Sequence, residues 1–134
     1  MINIINVLKA LTDETRLRII NLFIKSGKNL CVCELMDALK LPQYSISKAL
    51  SILRNVNLLT AEKEGTWVYY NLNKSTPENR NLFSFLKNYL NNDIFLEDEK
   101  RLNERLLLRK NNKCVIGILP EKELLKLIKE KVKV

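Results

Sequence analysis

"LPQYSISKALSILRNVNLLTAEKEGTWVYYNL", Leu41–Leu72, carries two periodicities back to back. In the first half, Ile46, Leu50 and Leu53 recur at helical spacing behind Pro42, which predicts a helix over Gln43–Asn57. Pro42 suits a first helical position, and the residue before it is pushed out of the helical region. In the second half, "LLTAEK", a turn at Glu64-Gly65 and "TWVYYNL" form a hairpin rich in β-branched and aromatic residues. Just upstream, an extended piece at Lys28–Leu30 leads into a helix over roughly Cys31–Leu39, with Val32, Leu35, Met36 and Leu39 in apolar register. Two short helices, a tight turn and a two-stranded hairpin spell a winged helix-turn-helix: a mainly α fold with a small β-hairpin wing.

In that order the Gln43–Asn57 helix is the recognition helix. Its solvent-facing residues are Gln43, Tyr44, Ser45, Ser47, Lys48, Ser51 and Arg54. Polar faces of surface helices usually mix both charges, but this face carries Lys48 and Arg54 and no acid. It suits phosphate and base-edge contacts. Lys63 and Thr66 at the hairpin turn would meet the backbone or minor groove. A net charge of +8 over 134 residues agrees with an acidic partner.

On the N-terminal side, Ile2, Ile5, Leu8 and Leu11 predict a short first helix. "TDETRLRIINLFIKSG" predicts a second, capped by Thr12 or Asp13, with Leu17, Ile20 and Ile24 inward and Gly27 as the stop. Beyond Asn73, "PENRNLFSFLKNYLNN" places Leu82, Phe85, Leu86 and Tyr89 on one face, and a further helix carries Leu102 and Leu106. These apolar faces, with that of the first helix, exceed what one small winged domain covers, so a two-fold dimer is expected to bury them. Residues 1–110 read as the DNA-binding and dimerisation domain. Residues 111–134 read as an extension: a short strand, "CVIGIL", then Pro120 and a lysine-rich amphipathic helix. The acids Glu97, Asp98, Glu99 and Glu104 alternate with Lys100, Arg101 and Arg105, the pattern of a solvated helix face.

A hydrophobic content of 46% and a charged content of 28% describe an ordinary globular protein. The N-terminus lacks the charged n-region of a signal peptide, and no apolar run approaches membrane-spanning length, so a cytoplasmic protein with no membrane partner is expected. Three cysteines argue against a disulfide framework. With no histidine and three glycines, the chain offers neither a Ser-His-Asp or Cys-His pairing nor a Gly-rich phosphate loop, and no enzyme is expected.

The remaining chemistry lies in the thiols. Cys31 and Cys33 stand one residue apart at a helix N-terminus, where the dipole favours thiolate, the soft ligand of thiophilic ions. On a regular helix, residues i and i+2 lie about 200° apart and cannot share one ion. They can if the helix starts late or its first turn unwinds. Cys114, in "KCVIGIL", reads equally as a buried strand residue or as a third ligand, and Met36 reads as core. Distorting the Cys31–Leu39 helix would disturb the recognition helix packed on it.

"ALTDETRLRIINLF", "NLCVCELMDAL" and the Leu41–Leu72 stretch together resemble the ArsR/SmtB family of bacterial metal-responsive repressors, over roughly the first seventy-five residues. The "LCVCEL" version is similar to the arsenic-responsive type. The resemblance implies a homodimer on an inverted-repeat, double-stranded operator, needing no cofactor to bind DNA. As(III) or Sb(III) at Cys31 and Cys33, with Cys114 left open as the third ligand, would weaken its grip and release transcription. The pattern departs from the family's at Met36, where a third cysteine often stands, at Ala49, where a histidine is common, and at Pro42, where a serine is usual. A Cd(II) or Pb(II) sensor, and a thiol redox or sulfide sensor, are the alternatives in the same fold. A disulfide would require Cys114 within a Cα distance of about 7 Å of a partner.

Overall fold

The structure, a computed structural model, describes residues 3–132. Ile2 of the expected first helix and Lys133 of the lysine-rich tail lie outside them. The elements run α1 (Ile4–Leu11), α2 (Glu14–Ser26), α3 (Val32–Leu39), α4 (Gln43–Asn55), β1 (Leu59–Glu64), β2 (Trp67–Leu72), α5 (Pro77–Tyr89), α6 (Asp93–Leu106) and α7 (Glu121–Val132).

The Asp13 carboxylate accepts from the Arg16 N–H to open α2, and Gly27, at φ 64°, closes it in the left-handed region where glycine carries no Cβ penalty. Ile19, Ile20, Leu22 and Phe23 are all buried, a wider face than Leu17, Ile20 and Ile24. The reason is position: α2 packs on α1, α4, α5 and α6 together. The α3–α4 turn passes through Lys40 in left-handed conformation, and Pro42 is the N-cap of α4 rather than its first helical residue. Ile46, Leu50 and Leu53 enter the core beneath α4, where truncation of one leucine costs about 2–5 kcal/mol.

The wing is a two-stranded antiparallel sheet in register Leu59↔Leu72 through Glu64↔Trp67. Leu30 adds a single bridge, exchanging both backbone hydrogen bonds with Tyr70 (3.0 and 2.8 Å). That bridge fixes the wing's root beside the start of α3. Mainly helical, with one hairpin after the two-helix unit, the fold is the winged helix-turn-helix expected.

Two expectations, the strand at "CVIGIL" and the solvated Asp98, need correction, and the apolar face of α5 divides in two. "CVIGIL" forms no strand: the Ile116 carbonyl accepts from Arg105, and the Cys114 N–H donates to the Tyr69 hydroxyl, so side chains take the place of a neighbouring strand. We call residues 114–120 the strap. In α5 the buried residues are Phe83 and Leu86, followed by Leu90, while Phe85 and Tyr89 point outward and contact each other, ring centroids 4.8 Å apart. They join Ile4, Ile5, Leu8 and Leu96 among the exposed apolar side chains. Finally, Asp98 is fully buried. Arg18 of α2 holds its carboxylate with two hydrogen bonds of 2.8 Å, and Arg101 adds one of 2.7 Å.

The C-terminal helix docks by its own small apolar cluster, in which Leu124 and Ile128 pack with Leu108. Among the described residues, no helix is long and apolar enough to cross a membrane.

Candidate metal centre and nucleic-acid interface

Cys31 is the N-cap of α3, extended at φ −94° and ψ 161°, and the helix begins at Val32. The obstacle posed by i,i+2 spacing therefore falls away without unwinding: Cys31 stands outside the helical repeat and Cys33 one step inside it. The strap brings Cys114 to them. Its Sγ lies 3.6 Å from Cys33 Sγ, and the Cys31 sulfur, the Cys114 sulfur and a Glu34 carboxylate oxygen all lie within 4.8 Å of one another. All three cysteines are buried, closed in by Tyr69 and Trp67 of β2.

Glu34, fully buried, accepts from the Cys31 N–H at 3.0 Å and so caps the first turn. Its carboxylate also forms a two-point pair with Arg109 at 2.7 and 2.8 Å, and Arg109 reaches the Asn29 carbonyl at 2.7 Å. Those commitments leave Glu34 a structural group and the thiols as the available donors. Arg105 of α6, itself 1% exposed, donates to Asp37 of α3 at 2.6 Å and to the Ile116 carbonyl at 2.7 Å. One side chain thus binds α6, α3 and the strap.

The trio shares charge unequally. Cys33 is pulled down to about 4 by hydrogen bonds from Cys114 and Cys31, against the opposing effect of burial and with help from the Arg105 charge. Cys31 is pushed up because its thiol donates to Cys114 and Cys33 and is buried. Cys114 is pulled down by Cys31, but donation to Cys33 together with burial raises it on balance. One thiolate with two thiol donors is a donor set suited to a soft, three-coordinate centre.

Beside the trio, a cavity of about 370 Å³ opens between α3, the recognition helix, the wing and the strap. Cys31 and Cys33 face it together with Gln43, Trp67, Val68 and Ile118, and Cys114 is not part of its wall.

Along α4, Gln43, Tyr44, Lys48, Ser51 and Arg54 are exposed, and Ser45 and Ser47 are half-buried. Lys63 and Thr66 are exposed at the wing tip, around Gly65 at φ 62°. The thiols contact none of these side chains except through the cavity wall at Gln43. Sequence reasoning missed Glu34, Tyr69, Arg105 and Arg109. The readable signal for Glu34 was its place three residues after Cys31, the capping-box interval.

These features define a class: a winged helix-turn-helix protein with a buried three-thiol site at the foot of the first helix of its helix-turn-helix. A family model described as "Bacterial regulatory protein, arsR family" matches residues 13–61. An uncharacterized HTH-type transcriptional regulator of Methanocaldococcus jannaschii is 45% identical over 64 residues, 48% of this chain and 71% of that one. The chain belongs to the arsR family of bacterial regulatory proteins, a family of regulators rather than enzymes.

Among its relatives, arsenic resistance transcriptional regulator ArsR1 of Pseudomonas putida is 44% identical over 72 residues, 54% of this chain and 56% of its own length. The arsenical resistance operon repressor of Escherichia coli is 45% identical over 73 residues, 54% of this chain and 62% of that one. The chain thus spans little more than half of these two relatives. Among solved structures, reduced HlyU from Vibrio cholerae superposes with a TM-score of 0.57 at 30% identity, over 64% of this chain and 86% of that one. Cys114 lies beyond the segment the family model matches.

Proposed function

We propose that the protein is a repressor that holds an inverted-repeat operator as a homodimer and lets go when Cys31, Cys33 and Cys114 capture trivalent arsenic or antimony. The observation that carries this reading is convergence. Cys33 and Cys114, 81 residues apart in the chain, meet at 3.6 Å with Cys31 beside them, inside a fold whose relatives include arsenical resistance repressors. Residues 1–110 supply DNA reading and dimerisation, and within the 111–134 extension the strap closes the thiol site.

Capture exchanges the three hydroxyl groups of arsenous acid for sulfur: Cys31 and Cys114 each give a proton to a departing water, and the Cys33 thiolate displaces the third hydroxyl, which leaves as water with a proton from solvent. Drawing three sulfurs onto one centre moves the N-cap of α3 and the strap. α3 packs directly on α4, so its displacement tilts the exposed row from Gln43 to Arg54 away from the groove. The DNA contacts fall to that row and to Lys63 and Thr66.

The test is fluorescence anisotropy of a labelled operator with arsenite, antimonite, Cd(II) and Pb(II). Cys31→Ser and Cys33→Ser should keep DNA affinity and lose release, and Cys114→Ser should lose the arsenite response. Release that survives both single substitutions in the "CVC" pair, with every ion, overturns the reading. Cd(II) enters because a cadmium resistance regulatory protein CadC homolog of Staphylococcus aureus is 34% identical over 70 residues.

The same 3.6 Å separation favours a second reading, in which a two-electron oxidant joins Cys33 to Cys114. The oxidant accepts both electrons and the thiols lose their protons. Peptide mapping under non-reducing conditions after peroxide treatment would find or exclude that bond.

A further inference from the structure

Beside the wing the chain makes a tight turn that neither the thiols nor the recognition helix accounts for. "KNNK", Lys110–Lys113, doubles back through Asn111 at φ 54° and Asn112 at φ 60°, the left-handed pair of a type I′ turn, which asparagine suits. Lys110 and Lys113 exchange both backbone hydrogen bonds at 3.0 Å, so the two residues stand directly opposite each other. Like charges in that position repel. Lys28, in the loop between α2 and α3, brings a third ammonium and donates to the Asn112 side chain at 3.4 Å. All three lysines are exposed. Lys113 is answered by Glu64 at 2.6 Å, in an exposed pair of the kind that contributes little. Among the described residues, Lys28 and Lys110 have no ion-pair partner.

The Glu64 contact also fixes where this charge stands. Glu64 immediately precedes Gly65 at the wing tip, where Lys63 and Thr66 are exposed. From there the strap runs toward Gly117 and Ile118, which share a cavity wall with Gln43, the first residue of α4. The turn thus lies at the wing tip, at the end of the strap farther from the recognition helix. Three ammonium groups with one exposed carboxylate between them call for an anionic partner, and the wing's own partner is the nearest. We propose that Lys28 and Lys110 make a further DNA contact, gripping backbone phosphates in duplex that flanks the bases read by α4 and the wing. Lys113 joins them by exchanging Glu64 for phosphate. The inference rests on the DNA-binding reading of α4 and the wing, and it stands whatever ion the thiols take. Such a contact adds affinity without sequence preference, because phosphates position a protein and carry no base information.

The experiment uses the full chain and a labelled duplex that it selects from a random-sequence pool. The duplex is made in two lengths, trimmed to the selected bases or extended at each end by about one helical turn, roughly 10 base pairs. Fluorescence anisotropy across a salt series gives the slope of log affinity against log salt. Each lysine that meets a phosphate steepens that slope by about 0.9, so Lys28 and Lys110 together should steepen it on the extended duplex by about 1.8 per protomer. Lys28→Gln with Lys110→Gln should remove this difference and leave the trimmed duplex unaffected. Lys28→Arg with Lys110→Arg keeps both charges and should preserve it, and changing the flanking sequence should alter nothing. Equal slopes on the two duplexes for the unsubstituted chain, or equal flattening on both in the glutamine variant, overturn this proposal alone. A glutamine variant that matches the unsubstituted chain on both duplexes but loses binding to phosphatidylglycerol vesicles also overturns it, and assigns the lysines to an anionic membrane surface. A chain that selects no duplex overturns the DNA-binding reading together with this one.

Discussion

Arg109→Ala removes a guanidinium from a carboxylate that water does not reach. Arg109 Nε lies 2.7 Å from Glu34 Oε2, and the two side chains are 3% and 0% exposed. One terminal nitrogen adds bonds of 2.8 Å to Glu34 Oε1 and 2.7 Å to the Asn29 carbonyl. After the substitution, the Cys31 N–H is the remaining hydrogen-bond donor to the buried charge. Breaking a buried pair on one side costs about 3–5 kcal/mol, a large share of the roughly 5–15 kcal/mol that holds a domain folded. For a chain of this size that loss lowers Tm by roughly 10–20 °C. Urea and thermal unfolding at fixed protomer concentration measure it, since association feeds into apparent stability. The double variant Arg109→Met with Glu34→Gln removes both charges and should recover more than half of the loss. A cost below about 1 kcal/mol for Arg109→Ala, or a double variant no more stable than the single, would refute the reasoning that this pair secures the thiol-bearing turn.

Lys48→Ala and Arg54→Ala should each weaken operator binding by about 1–3 kcal/mol where the side chain reads a base, or flatten the salt dependence where it meets phosphate, with the fold unchanged by circular dichroism. If the proposed homodimer buries α1, replacing its exposed Ile4, Ile5 and Leu8 with serine should shift sedimentation toward monomer. Ultraviolet thiolate absorbance should show one thiol titrating with a midpoint near 4, missing in Cys33→Ser. Because the Cys33 value lies below its ordinary 9.0, its contribution to stability is present above pH 9 and declines as pH falls through about 4. Cys31 and Cys114 work in the other direction: their contribution is whole below pH 9 and is lost at higher pH.

What was legible in the chain follows the range of the interactions. The recognition helix and wing could be read because each is specified within a few residues: Ile46, Leu50 and Leu53 by helical spacing, the hairpin by Gly65 between two β-rich runs. The apolar pattern starts α3 at Cys31, one residue early, because cysteine is not among the usual N-cap residues and its cap reads as the first turn. Local charge alternation points Asp98 to solvent and says nothing about its pair with Arg18, 80 positions away. Phe85 and Tyr89 share a helical stripe with Leu82 and Leu86. Which part of a broad stripe turns inward is decided by α2, not by α5 itself. The role of Cys114 stayed open for the same reason. An apolar run such as "CVIGIL" suggests a strand until Arg105 and Tyr69 are seen holding its backbone.

The long reach of the strap sets an order of assembly during synthesis. The α2-to-wing segment is wholly synthesised once Leu72 has been added, and α2 and α3 then await α5 and α6 to cover them. The third thiol arrives only when Cys114 follows, a few seconds later at roughly 5–20 residues per second. Closing that loop also carries the entropic cost of a long-range contact, which places it late in folding. A newly made chain would therefore have its recognition helix and wing in place before its three-thiol site. Under the proposed function, truncation ahead of Cys114 would yield a regulator able to sit on its operator and deaf to inorganic arsenic.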